Sequence, residues 1–525
     1  MSIEKLKLVV HTVKYLRFQQ IYFRIYYAVR NRFFKRDYSK KLREAITPLI
    51  WSDAVLSSNS YLGKNTFNFL NIQHSFDAEI DWNYNAYGKL WTYNLNYFDF
   101  LNQQEITSEE GVQLIHSYIK AHASLKDGYE PYPISLRGVN WIQFLSKHKI
   151  VDPLINQSLY NQYQVLLNNL EYHLLGNHLL ENGFSLFFAA YYFKDDQFYK
   201  KAKTLLNKEL TEEILNDGAH FELSPMYHKI LLKKLLDCIH LTQQNKWNKT
   251  YSLDSFLKEK AVKMVSWLKE ITFKDGSIPM VNDSAHEIAL TSKQLFGYAN
   301  ELAISVSKIK LSDSGYRKFT SDTHELFMDV GQVGPSYQPG HAHADTFSFV
   351  LHNQNKPLLV DPGVSTYEIC PTREKERSTG YHNTVTVHHS NSSQVWSGFR
   401  VAQRANVTIL VDDEFTVSAK HDGFRKYGIE HTRTFAMNKE GITINDTLNS
   451  KESAKAYFHL HPNCEVEFLS GKNAIFVDAN ELRFKGSESV VIETYAYALG
   501  FNSTVKAKKI VVTFRQTLTT SIKNS

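Results

Sequence analysis

Cysteine is scarce. The chain has three in 525 residues, Cys238, Cys370 and Cys464, far apart and without C-x-x-C spacing. That excludes a disulfide framework and a thiolate zinc site, so any metal must be held by histidines and carboxylates. Long apolar runs are also missing, and no transmembrane helix is predicted. The amino terminus lacks the apolar stretch and small-residue cleavage site of a secretory signal. The expectation is a cytoplasmic or membrane-peripheral protein. Nor is there a strong excess of one charge: the formal net charge is +6. A balance this mild does not mark a nucleic-acid binder, and no nucleic-acid partner is predicted. It is compatible with an anionic polysaccharide or oligosaccharide.

Aromatic residues are abundant, with 30 Tyr and 33 Phe. They fit either large cores or platforms that stack on pyranose rings. The length exceeds what one ordinary core serves and predicts two or three domains. The segment Lys5–Arg36 alternates Lys and Arg with Val, Leu, Ile, Tyr and Phe. Residues 1–40 read as a basic amphipathic helical segment. It either packs on the body with its basic face outward or makes a peripheral membrane contact.

From residue 41 to about 315 the period is helical. Leu154–Leu175, Gly183–Tyr192, Phe198–Leu215, Lys229–Gln243 and Ser255–Ile271 carry apolar residues three and four apart. Paired helices over such a length predict an α-solenoid or α/α barrel, although no strict repeat is visible. A boundary is expected in the polar stretch Leu311–Ser321. From 322 to 525 the period becomes two, in short strands punctuated by turns such as Asp422-Gly423, Glu440-Gly441 and Ser470-Gly471. That pattern predicts an antiparallel β-sandwich.

Four polar clusters carry the chemistry. In Gly176-Asn177-His178-Leu179-Leu180-Glu181, placed between two helices, His178 and Glu181 share a face on a helical turn. Asn177 and His178 offer donors for a carboxylate, unless Asn177 merely caps a helix. In Ser224-Pro225-Met226-Tyr227-His228, Pro225 suits the first helical position. Tyr227 and His228 then lie in the first turn, where the helix dipole should help lower a tyrosine pKa. Gly340-His341-Ala342-His343-Ala344-Asp345, read as a strand, points His341, His343 and Asp345 to one side. Asp361 and His382 with His343 make a His-Asp-His set suited to zinc, or else three unconnected strand-end residues.

Taken together, these motifs resemble the heparinase II/III family of polysaccharide lyases. The resemblance rests on Gly340–Asp345, Asp361-Pro362-Gly363 and His382-Asn383-Thr384. It also rests on Leu90–Asp99, Pro131–Arg137 with Asn140-Trp141, Asn177-His178 and Ser224–His228. It implies an N-terminal α/α toroid, an incomplete helical barrel, followed by a C-terminal antiparallel β-sandwich, with the active site between them. Asn177 and His178 would bind a uronate carboxylate, and Glu181 would orient them. Tyr227 would be the catalytic tyrosine, His341 its acid/base partner, and His343, Asp361 and His382 the ligands of a structural zinc. The early motifs resemble members encoded with surface-polysaccharide genes, and the family offers the periplasm as an alternative location.

β-Elimination needs the C5 proton made acidic by neutralising the adjacent carboxylate. Preorganised donors such as Asn177 and His178 are typically worth about 3 kcal/mol each. Tyr227 and His341 would share removal of that proton and protonation of the leaving O4. Arg137, Arg377, Arg400 and Arg404 are candidates for holding the polyanion, with structural salt bridges as the alternative. Trp141 and Trp396 are candidates for stacking on sugar rings or for core packing, and His228 for a further substrate contact. Two rivals stand beside the lyase: a glycoside hydrolase using Glu181 and Glu222, and a non-catalytic glycan-binding or assembly protein.

Overall fold

The computed structural model describes residues 3–34, 37–52, 55–247, 253–469, 473–478 and 480–524. Lys35, Arg36 and the Ser470-Gly471 turn lie outside these. Two helices, α1 (Ile3–Val13) and α2 (Phe18–Phe33), open the chain. A short hairpin of β1 (Thr66–Phe69) and β2 (Ile72–Ser75) precedes the helical body. That body comprises α3 (Lys89–Tyr97), α4 (Ser108–Lys120), α5 (Pro131–Lys147), α6 (Pro153–Asn168), α7 (Gly176–Phe193), α8 (Asp196–Glu213), α9 (Pro225–Gln244), α10 (Asp254–Ile271) and α11 (Ser292–Glu301).

Local chemistry starts these helices. Thr107 and Glu110 form a capping box on α4. Asp152 caps α6 ahead of Pro153, Asp195 caps α8, and Ser224 caps α9 ahead of Pro225. Such caps satisfy orphan N–H groups and are typically worth about 1 kcal/mol each. The sequence Phe184–Phe193 leaves α7 apolar on nearly every side, so the helix is buried along its length. It packs against α5, α8 and α9 at the centre of the toroid. The polar cluster predicted to lie between two helices is instead the first turn of α7.

The strands of the carboxyl-terminal half begin at Tyr316, ahead of residue 322 and within the polar stretch where the boundary is expected. Ser314 and Tyr316 are buried there, with Ser314 bonded to Asp217. β3 (Tyr316–Thr320), β4 (His324–Asp329), β5 (Phe349–Asn353) and β6 (Lys356–Leu359) form one antiparallel sheet in chain order. A short helix, α12 (Pro371–Glu376), follows, then β7 (Val385–Val387) and a small hairpin of β8 (Val395–Trp396) and β9 (Arg400–Val401).

The larger sheet contains β10 (Val407–Asp412), β11 (Thr416–Phe424), β12 (Ile429–Asn438), β13 (Gly441–Leu448), β14 (Ser453–His459), β15 (Val466–Leu469), β16 (Ala474–Val477), β17 (Asn480–Gly500) and β18 (Ser503–Asn524). Its order is β10-β11-β12-β13-β18-β17-β16-β15, with β14 pairing both β18 and β7. Alternating burial along β12 and β13 gives each strand one inward face. Leu326, Met328, Phe349 and Leu351 of the smaller sheet meet Phe435, Ile444, Phe458, Val512 and Phe514 of the larger. This core makes the pair of sheets a sandwich.

Toroid and sandwich are stitched by polar contacts. Asn71 Nδ2 donates to the Phe501 carbonyl at 3.0 Å, and Asn502 Nδ2 to the Leu70 carbonyl at 3.0 Å. The backbone of Asn282-Asp283 meets the His341–His343 loop through Asp283 N–H to the His341 carbonyl at 3.2 Å. The amino-terminal helices straddle both halves. Gln20, Tyr27 and Arg30 of α2 bond to carbonyls of Leu174, Leu170 and Asn168 in the toroid. Thr12 of α1 accepts from Trp396 Nε1 in the sandwich.

Candidate active site

Gly176 opens α7 with φ +58, and a Cβ there would run into Glu222 Oε1. The bare backbone lets the Glu222 carboxylate sit against the first turn. It accepts from the Asn177 N–H at 2.9 Å and from Asn177 Nδ2 at 2.8 Å. A carboxylate at a helix N-terminus is electrostatically favoured. Asn177 Nδ2 also lies 3.2 Å from His341 Nε2, a residue of the sandwich 164 positions away.

His341 sits between two carboxylates. Its Nδ1 meets Asp283 Oδ2 at 3.0 Å, and its Nε2 is 3.3 Å from Glu222 Oε2. With Asp283 taking Nδ1, it is Nε2 that faces Asn177 Nδ2. The Tyr227 ring stacks on this imidazole, with centroids 3.9 Å apart and planes 26° apart. Tyr227 enters from the first turn of α9, where Ser224 Oγ accepts its N–H. Its hydroxyl is 3.4 Å from the Tyr367 hydroxyl. Burial pushes the Tyr227 phenol up, and the charges of Asp283 and Glu222 add to that. This reverses the lowering expected from the helix dipole.

His178 lies in the same turn as Asn177 and remains partly exposed. Its Nδ1 meets Glu171 Oε1 at 3.0 Å, and its ring lies against Tyr132. Burial works against its charged form, but the Glu171 carboxylate overrides this and raises the imidazole. His178 also lines a cavity of about 860 Å³ with Arg24 and Tyr27 of α2, and with Tyr93, Tyr129 and Glu171 of the toroid. Sites for small ligands typically enclose roughly 300–1,000 Å³.

Asp283 is the keystone. Its Oδ1 also meets His343 Nε2 at 2.9 Å, and Arg373 grips both oxygens at 2.5 and 2.7 Å. Burial alone would push this carboxyl up. The Arg373 guanidinium and the two imidazole donors override it and hold it well below the usual carboxylate range. The His341–Asp345 stretch is a loop, not a strand. His341 and His343 converge because one carboxylate binds both.

Five expected substrate contacts fall elsewhere. Arg137 is fully buried, donating to Gln162 and to the Asn96 and Gly128 carbonyls. Trp141 is fully buried among Phe98 and Tyr118. His228 is locked between the His220 N–H and the Met264 carbonyl. Arg377 braces the His341–Asp345 loop by binding the Ala342 and Gly398 carbonyls. The Glu181 side chain makes no hydrogen bond to Asn177 or His178; its Oε1 is buried without a partner, and burial raises its carboxyl to about 7. All five side chains are buried. Glu222 and Glu171 do the orienting expected of Glu181. Of these, Glu222 stands in the Asp217–His228 cluster, whereas Glu171, Asp283, Arg373 and Tyr367 carry no local sequence signal.

The expected metal ligands lie close together. His382 Nδ1 meets Asp361 Oδ2 at 2.8 Å, and the His343 and His382 rings are 5.2 Å apart. Among the described residues no group of three or more His, Cys, Asp or Glu is arranged to hold a metal ion. Three donor atoms are nonetheless buried without partners: His343 Nδ1, His382 Nε2 and Asp345 Oδ2. Each imidazole uses its other nitrogen on a carboxylate, Asp283 or Asp361. That pattern is common for metal-binding histidines, so the residue types fit a divalent ion. Asp361 itself is engaged by His382 and by the Gly363 N–H.

A helical toroid joined to an antiparallel sandwich, with a Tyr-His-Asn constellation at the seam, defines a two-domain toroid-and-sandwich protein. Residues 138–303 match the family described as Heparinase II/III N-terminus, and residues 305–525 match Heparinase II/III-like, C-terminal. The chain belongs to the heparinase II/III family. It is 23% identical over 362 residues to a heparin-sulfate lyase of Bacteroides stercoris, covering 62% of this chain and 51% of that protein. The chain thus spans about half the length of this curated relative. Among solved structures it resembles heparinase III, with TM-score 0.65, 15% identity, and coverage of 89% of this chain and 83% of the other. It also resembles a mutant heparan sulfate lyase of Pedobacter heparinus, with TM-score 0.60, 16% identity and coverage of 88% and 82%.

Proposed function

We propose that the chain is a polysaccharide lyase that cleaves uronic-acid-containing glycans by β-elimination, in bacterial surface-polysaccharide metabolism. The observation that carries this reading is the convergence of Asn177 and Tyr227 on His341, with His178 one residue from Asn177. Asn177 and His178 would neutralise the uronate carboxylate, so that charge at C5 spreads into it as the proton leaves. Tyr227 and His341 would take that proton and protonate the departing O4. The hydroxyl of Tyr227, raised by burial, is a proton donor at neutral pH. The names of the relatives point to sulfated glycosaminoglycans as the first substrates to try.

The hydrolase alternative is disfavoured, because Glu181 and Glu222 are both buried and Glu222 is committed to Asn177. A glycan-binding protein without turnover would keep the same cleft. Incubation with heparan sulfate, chondroitin sulfate, hyaluronan and alginate distinguishes the readings. Elimination leaves an unsaturated uronate with near-ultraviolet absorbance. No new absorbance with any of the four, despite binding, would reject the lyase.

A divalent metal, zinc by the donor types, belongs to the same proposal. His343 Nδ1, His382 Nε2 and the free oxygen of Asp345 are the atoms offered to it, with Asp361 orienting His382. Its contribution would be structural, a rigid floor beneath the His341 loop.

A further inference from the structure

The amino-terminal helices leave an apolar face uncovered, although Phe23 and Tyr27 of α2 pack inward against Tyr172 and His173. The residues α2 buries are Gln20 and Arg30, both polar. Gln20 and Arg30 bond inward to backbone carbonyls of the toroid, and Arg17, at its start, pairs with Glu212. The residues turned outward are Phe18, Tyr22, Ile25, Tyr26, Val29 and Phe33, with Phe18 81%, Phe33 68% and Ile25 60% exposed. Helix α1 repeats the pattern: Ile3, Leu6, Val10 and Val13 are exposed at three- and four-residue spacing. Its inner side bonds to Trp396 and Gln403 of the sandwich. An apolar stripe of this length is not scattered surface hydrophobicity.

The charges around the stripe say what covers it. Lys7, Lys14 and Arg32 are exposed, and among the described residues none makes an ion pair. A second copy docked symmetrically would set the same patch on itself and bring like charges together. A bilayer with anionic headgroups accepts both features: aliphatic and aromatic side chains enter the acyl boundary while flanking cations meet the phosphates.

We infer that the outer face of α1 and α2 is a membrane-docking surface for a bilayer containing anionic phospholipid. The inner face of α2 meanwhile walls the cavity that ends at His178, through Arg24, Tyr27 and Asn31. Docking therefore holds the mouth of the cleft beside the membrane, where a surface-bound glycan would be presented.

The test is co-flotation of the full chain with phosphatidylcholine vesicles, with and without phosphatidylglycerol. The native chain is expected to float with the anionic vesicles. The triple change Phe18→Ser, Ile25→Ser, Phe33→Ser should lower partitioning roughly tenfold or more. Lys7→Glu with Lys14→Glu should weaken it only on the anionic vesicles, as should added salt. These side chains touch no residue of the site, so both variants should keep the native melting temperature. No flotation by the native chain overturns the inference, as does flotation that ignores the triple change. A native dimer that the triple change converts to monomer, without vesicle binding, assigns the face to a second copy instead. None of these readings uses turnover, so the inference stands or falls separately from the lyase.

Discussion

Asp283, from the toroid, holds His341, from the sandwich, by its Nδ1 at 3.0 Å, and so fixes which ring nitrogen faces Asn177. The same carboxylate holds His343 and Arg373. Removing one member of a buried, paired charge set typically costs about 3–5 kcal/mol, because the partner is left uncompensated. Asp283→Asn is expected to lower the melting temperature and to reduce kcat far more than it raises KM. Native stability with native kcat in that variant would refute the keystone role.

Tyr227 offers the cleanest test of chemistry against binding. Tyr227→Phe keeps the ring that stacks on His341 and removes only the hydroxyl. Loss of an acid/base group typically costs roughly 10²–10⁴-fold in rate. Elimination should fall by that much, while calorimetric affinity for a heparan sulfate oligosaccharide stays native. Retained turnover would take the tyrosine out of the mechanism.

His178 predicts a pH effect with a definite sign. Glu171 raises its imidazole, so the charged form persists to higher pH. Glu171→Gln removes that support and lets the proton leave at lower pH. The alkaline limb of the kcat/KM profile should then move to lower pH. An unmoved or opposite limb would show that charge on His178 is not required.

Stability should fall on mild acidification for a separate reason. Burial lowers His220 to about 4 and His228 to about 3. Below the ordinary histidine value of about 6.5 the unfolded chain binds protons that the folded chain refuses. Stability is therefore full above that value and drops as pH falls towards 4, by about 1.4 kcal/mol per pH unit for each histidine. Urea melts at pH 7 and pH 5 measure this, and His228→Gln should flatten the dependence.

The metal proposal makes its own demand. Dialysed protein should carry close to one divalent ion per chain, and His382→Ala should abolish it. Chelation should lower the melting temperature without unfolding the helical half. Protein that is metal-free as isolated, with no thermal shift on adding zinc, would discard the proposal.

How much of the site was legible varies residue by residue. Ser224-Pro225 is a local start signal, so Tyr227 could be placed in the first turn of α9 from its neighbours alone. Asn177 and His178 are visible as a cluster placed between two helices, whereas the structure makes them the first turn of α7. The family resemblance implies the orienting role for Glu181. Glu171 and Glu222 hold it instead, one ahead of the helix and one across the fold. Arg137 and Trp141 leave both a cleft and a structural role open on sequence; the first threads the toroid core and the second fills it.

Sequence alone determined what depends on neighbours a few residues away: the helical and strand periods, the capped helix starts, and the order of the polar motifs along the chain. Tertiary structure alone decided what depends on distant partners: that Asp283 binds both His341 and His343, that Arg137 is sealed from solvent, and that α2 turns its apolar stripe outward. The reason is physical. Backbone hydrogen bonds and side-chain spacing act over one turn or one strand pair, whereas burial and charge pairing are set by which surfaces the folded chain brings together.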